Sequence, residues 1–255
     1  MKTFTTFASK ELLESLRTYR LWIMLVVFLA LGILSPLTAK LLPALLNGAA
    51  MGDGVILHMP DPTAMDAWTQ FFKNVSQLGG LVLVIVFCGI TATEFSRGTL
   101  INILTKGVAR STVVLAKFAV AALIWTLSYA VTLGTTLSYV AYFWGLDGMH
   151  YTLLAFISPW LFGLLMLALL ILGGILVGNI YGALLAAGGV VIVLNIIGIA
   201  PKTAKYNPVS LAGGTLNLLN GATPPSGFMP ALIICVAAII AVLAASLIVF
   251  DKKQL

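Results

Sequence analysis

From residue 21 to residue 250 the polar positions are sparse, and six long runs are almost entirely apolar. These runs lie near Leu21–Leu42, Phe71–Thr93, Val113–Trp144, Leu153–Val177, Ile180–Ala200 and Met229–Phe250. Crossing a hydrocarbon core takes roughly 20 helical residues at about 1.5 Å each, so each run is long enough for one transmembrane helix. The second is densely apolar only over Leu78–Thr93 and is extended back to Phe71, which puts Lys73 near an interface. The third is longer than a membrane is thick, so its first turns are expected to protrude. Unbroken apolar runs exclude a β-barrel, whose strands alternate over segments of about ten residues. The predicted fold is all-α: a single polytopic transmembrane domain of six helices covering residues 1–255.

Residues 1–20 carry a different pattern. At 100° per residue, Phe4, Phe7, Ala8, Leu12, Leu16 and Tyr19 share one face of a helix, and Lys10, Glu11, Glu14 and Arg17 share the other. An amphipathic helix just before a span is expected to lie in the headgroup plane with its charges toward the cytoplasm. That charged face suits an elbow helix touching a cytoplasmic partner. A simple interfacial anchor would use the same face.

Composition narrows the class. The chain is 60% hydrophobic and 9% charged, with a mean hydropathy of +1.09, against roughly 25% charged residues in soluble domains. A soluble enzyme and a disordered tail are therefore both excluded. The net charge of +6 does not indicate nucleic acid, because the basic residues are scattered between apolar runs. Their placement reads as topology instead. With the N-terminus inside, ten Lys and Arg fall on the cytoplasmic side (Lys2, Lys10, Arg17, Arg20, Arg97, Lys106, Arg110, Lys117, Lys252, Lys253) and four outside (Lys40, Lys73, Lys202, Lys205). The positive-inside rule then predicts both termini in the cytoplasm. Glu11 and Glu14 before a long first run argue against a cleaved signal peptide. Cys88 and Cys235 sit inside runs with no Cys or His neighbour and read as packing residues.

Certain chemistries are missing from the sequence. It contains no phosphate-loop motif and no dinucleotide fingerprint, so this chain is expected to bind no nucleotide by those devices and to hold no catalytic residue, cofactor or metal. His58 and His150 fall in outer segments without a metal-ligand pattern. No ionisable residue stands in the middle of a run, whereas ion-coupled carriers usually keep one there.

Four connections carry information. Between the second and third runs, residues 94–112 hold Glu94, Arg97, Lys106 and Arg110. Leu100, Ile101, Ile103 and Leu104 give a short helix an apolar side, Lys106-Gly107 supplies a stop, and Ser111-Thr112 are placed to cap the next helix. This helix–break–helix could serve as a lever, although its cations also suit ordinary positive-inside placement. Gly174, Gly178 and Gly182 form two G-x-x-x-G steps at the turn between the fourth and fifth runs and predict close packing within one subunit, with a dimer seam as the alternative. Asn195, with Gly188-Gly189, makes the fifth run partly polar. Residues 201–228, rich in Pro, Gly and Asn, are either an outer gate or a surface loop. Residues 43–70 read as a loop, with a surface helix near Ala64–Lys73.

Glu94 followed by Gly98, Thr99 and Leu100, then Arg110 and Lys117, resembles the E-x-x-x-G-T-L … P-x-S-R … K pattern in permeases of type-2 ATP-binding-cassette exporters. Lys10-Glu11-Leu12 with Arg17 and Arg20 is similar to that family's start, and the resemblance extends over the whole chain in layout. Gly107 stands where Pro is usual, and Ala109 where Ser is usual. The resemblance implies a transmembrane subunit in the cytoplasmic membrane of a bacterium, paired with a second permease copy or paralogue. Two separate ATPase subunits would bind the ATP and magnesium. It also implies that Glu94, Arg97, Gly98, Thr99, Leu100, Lys106 and Arg110 make the coupling contact, and that residues 201–228 include re-entrant helices. Uncharged spans suggest an amphipathic or hydrophobic cargo such as a peptide, bacteriocin, lipid or drug. A secondary carrier or channel, and a peptide-binding immunity or receptor component without transport, remain as alternatives.

Overall fold

The computed structural model describes residues 2–46, 60–96, 98–105 and 107–253. Arg97, Lys106 and His58 lie outside them. Among the described residues there is no strand, and six helices are long and apolar enough to cross a membrane: Arg20–Pro43, Ala64–Ser96, Arg110–Phe143, Thr152–Val177, Ile180–Gly198 and Pro225–Lys252. The molecule is an all-α polytopic membrane protein.

The N-terminal helix α1 (Lys2–Arg17) meets α2 (Arg20–Leu46) at a sharp elbow. Tyr19 makes the turn with a left-handed φ of 61°, a conformation that costs an L-residue energy and is held by the flanking helices. The next span is broken into pieces. Helix α3 (Ala64–Asn74) runs through a π-turn at Val75–Gly79 into α4 (Gly80–Phe87), and a non-helical step leads to α5 (Ala92–Ser96). Thr63 and Asp66 start α3 with a reciprocal capping box. The surface helix expected near residue 64 is instead the deeply packed head of this span. Trp68 and Phe71 are fully enclosed, with Trp68 against Phe156 at 4.9 Å, because their aromatic area is best buried between α2, α7 and α8.

A short helix α6 (Thr99–Leu104) precedes α7 (Arg110–Phe143), α8 (Thr152–Val177) and α9 (Ile180–Gly198). Three short helices follow, α10 (Pro201–Ala204), α11 (Ser210–Gly213) and α12 (Thr215–Leu219), then a 3₁₀ turn and α13 (Met229–Lys252). Leu211, Leu218 and Leu219 are fully buried, and α11 and α12 pack on α3 and α8. Residues 201–228 thus fold back onto the bundle instead of looping free.

Small residues and hydroxyls set the closest helix pair. Gly32 of α2 lets α7 approach until a Cβ there would stand 3.0 Å from the Thr132 carbonyl. Thr132 donates to the Phe28 carbonyl at 2.6 Å, and Thr136 to that of Gly32 at 3.0 Å. In a membrane, apolar burial gives little preference for helix over lipid, so close backbone approach and interhelical hydrogen bonds carry more of the association.

Candidate functional site

Helix α1 and the end of α13 lie at the same end of the bundle as the start of α7, and a cluster of charged side chains gathers there. Lys117, eight residues into α7, has 1% of its surface exposed, and Glu11 of α1 has 3%. The Lys117 ammonium sits 2.9 Å from Glu11 Oε2 and 3.0 Å from Glu94 Oε2 on α5. The contact with Glu94 is an ion pair without an aligned hydrogen bond. Lys10 closes the group from the outer side, at 2.9 Å from Glu11, 2.9 Å from Glu14 and 3.3 Å from Glu94. Two ammonium groups and three carboxylates therefore tie α1, the end of the second span and the start of the third into one joint.

Local structure places each member. Phe7, Glu11 and Ser15 recur every four residues and form the buried stripe of α1 that packs on α7. Glu94 is presented by the break in the second span. Gly174 of α8 leaves a notch for this break, and a Cβ there would collide with the Thr91 hydroxyl and stand 3.2 Å from the Ala92 amide. Thr91 also donates to the Ile171 carbonyl at 3.4 Å. The α8–α9 turn that holds the notch is closed by Gly178 at φ 79° and by Asn179, whose side chain accepts from the Gly182 amide at 2.9 Å. Gly182 packs so closely on Val177 that a Cβ there would collide with that side chain.

The joint corrects one expectation. Lys10, Glu11, Glu14 and Arg17 do not form a single charged face toward solvent, because Glu11 turns inward to neutralise Lys117. A helical wheel shows a charge on the polar face but cannot show a buried counter-charge about a hundred residues away. Lys10 and Glu14 stay partly exposed, and Arg17 is exposed. Burial pulls Lys10 down, but hydrogen bonds to Glu14 and Glu11 and the Glu11 and Glu94 charges outweigh it and hold Lys10 well above the usual lysine range. Burial pushes Glu14 up, but its hydrogen bond to Lys10 and the charges of Lys10, Lys117 and Arg20 leave it below the usual carboxylate range.

The carboxylates of Glu11, Glu14 and Glu94 lie within 4.8 Å of one another, as a metal site would need. The Lys10 ammonium contacts all three.

A second cluster holds the same end together. Arg110 Nη1 donates to the carbonyls of Phe250, Asp251 (3.0 Å) and Lys253 (2.8 Å) at the end of α13. Lys253 in turn donates to the carbonyls of Ile175 and Leu176 at the end of α8, with its ammonium 4.7 Å from the centre of the Phe95 ring. Helix C-termini carry unsatisfied carbonyls and partial negative charge, which cations relieve. Arg110, read from the sequence as a contact for a partner, is thus engaged inside the chain. Sequence reasoning missed Lys253 in this role; its position just past a long apolar run is the signal that could have found it.

The coupling segment has a defined shape. Helix α6 is bracketed by Gly98 at φ 66° and Gly107 at φ 82°, conformations that glycine adopts without steric cost. Leu100 is buried, Thr99 is exposed, and α7 starts at Arg110 with Ala109 at the cap position. Ser111 and Thr112, expected as caps, lie inside the first turn.

No family model matches the chain. Over 141 residues it is 22% identical to an uncharacterized transmembrane protein, YxlG, of Bacillus subtilis (strain 168), a match covering 55% of each protein. The chain thus spans about half the length of that curated relative. Together with the six apolar helices, this defines the class: a multi-pass, all-α membrane protein.

Proposed function

We propose that this chain is the membrane-spanning subunit of an ATP-driven exporter, powered by a separate ATPase that binds the nucleotide. The observation supporting this most is the joint of Lys117, Glu11 and Glu94. It ties α1 and α7 to the span that leads into the glycine-bracketed helix α6. A force on α6 would pass through α5 to α1 and α7 together, as coupling to an external motor requires. In this reading both termini are cytoplasmic, the exposed part of residues 94–112 meets the ATPase, and residues 201–228 close the outer side. Two copies of the chain, or the chain and a paralogue, enclose the path of an amphipathic or hydrophobic cargo.

The test is purification of the tagged chain from its native host in mild detergent, with mass spectrometry of what co-elutes. A soluble ATPase in stoichiometric amount is expected. A chain that elutes alone and moves solute in liposomes without ATP would overturn the proposal in favour of a carrier or channel.

A further inference from the structure

The seam between α7 and α8 forms an open groove of about 670 Å³, lined by Tyr129, Leu133 and Leu137 on one side and Phe156, Ile157 and Trp160 on the other. The polar atoms of its aromatic rings are turned to partners within the chain. The Tyr129 hydroxyl donates to the Phe156 carbonyl at 2.7 Å, and Trp160 Nε1 donates to the Thr126 hydroxyl at 3.0 Å. The floor is therefore apolar along its length, which disfavours any occupant with buried polar groups.

Depth and length narrow the occupant. From Thr126 to Leu137 the groove follows α7 for roughly 16 Å at the helical rise, starting roughly 24 Å from the Arg110 end. It therefore occupies the half of the bundle remote from the termini. At its outer end stand Met149 and Thr152. Tyr142, Tyr151 and the exposed His150 lie close by in the chain, with the two tyrosines 82% and 48% exposed. Such amphipathic rings suit the level of lipid headgroups.

We propose that this seam binds one aliphatic chain of an amphiphile from the leaflet remote from the termini, with the headgroup at the level of Tyr142, His150 and Tyr151. A straight hydrocarbon chain matches a groove that runs roughly 16 Å along α7 with an almost wholly apolar lining. In the seam it gains contacts from two helices where a convex helix surface offers one. The site goes beyond the exporter reading and does not depend on it, because binding requires no ATPase.

The experiment places the full chain in phosphatidylcholine nanodiscs with a trace of lysophosphatidylcholine bearing a diazirine on its tail, followed by irradiation and peptide mapping. Labels are expected on residues 126–137 and 149–160 at about fivefold the density found on the more exposed Ile192–Ile197 of α9, the effect of roughly ten extra carbon contacts at about 0.1 kcal/mol each. Ala130 lines the exposed rim, so Ala130→Trp should fill the trough and lower seam labelling about fivefold, to the level of α9. Leu123→Trp, exposed on the same helix outside the groove, should leave it unchanged. Leu153→Trp, at a site 75% exposed, is the second filling variant if the first fails to fold. Even labelling of all lipid-facing helices would overturn the proposal, as would insensitivity to a folded filling variant. A seam shielded by a second copy of the chain would overturn it as well.

Discussion

Lys117 and Glu11 stand 2.9 Å apart, although 106 residues separate them in sequence, and each is almost wholly removed from solvent. A buried ammonium is costly unless it is paired on more than one side, and Glu94 supplies the second carboxylate. The elbow helix is thus held to α7 by charge as well as by Phe7. The charge network also fixes where the second span ends.

Removing the cation alone should be worse than removing the whole group. Lys117→Met leaves Glu11 and Glu94 facing each other without their shared cation and should cost about 3–5 kcal/mol, read as a lowered unfolding midpoint in detergent. The triple variant Glu11→Leu, Glu94→Leu, Lys117→Met should recover most of that loss. A triple variant no more stable than Lys117→Met would show that the site needs its charges for packing.

The docking of α1 should weaken at both extremes of pH. Lys10 is raised above its usual 10.5, so its contribution is complete below that value and is lost as the pH rises through the raised one. Glu14 is lowered from its usual 4.5, so its contribution is complete above 4.5 and is lost as the pH falls through the lowered value. Spin labels at Ser9 and Ala119, with Cys88 and Cys235 replaced by Ala, should report one short distance across the neutral range. Broadening is expected only toward the two ends.

Gly174 and Gly188 should respond oppositely to one added methyl group. Gly174→Ala pushes on Thr91 and the Ala92 backbone and should destabilise by about 1–3 kcal/mol, displacing Glu94 with the break. A Cβ added at Gly188 on α9 would meet nothing within 4 Å, so Gly188→Ala should be neutral or stabilise by up to about 1 kcal/mol. Equal thermal shifts for the two variants would remove the notch from the account of how Glu94 is placed.

Arg110→Gln should loosen the end of α13 without unfolding the bundle. The cost of losing a cation at a helix C-terminus is about 0.3–2 kcal/mol. Hydrogen exchange should accelerate at residues 250–253 and, through Lys253, at the end of α8. Exchange confined to residues 98–109 would instead point to a role limited to the coupling segment.

The hydrophobic pattern was enough to identify an all-α membrane protein with six spans. Apolar length and helical periodicity are properties of one segment at a time, and a span needs little beyond enough apolar residues in a row. The packing glycines were visible for the same reason, as a repeat within one stretch. The partners of those glycines were not, since Thr91 meets Gly174 only after the second span breaks. The tertiary structure decided which charges face inward, that Arg110 and Lys253 serve helix ends, and that the helix from Ala64 belongs to a span. Each of these depends on contacts between residues about eighty to 140 positions apart. A buried charge is tolerated only where a second helix brings its counter-charge, and that is settled by how the helices pack.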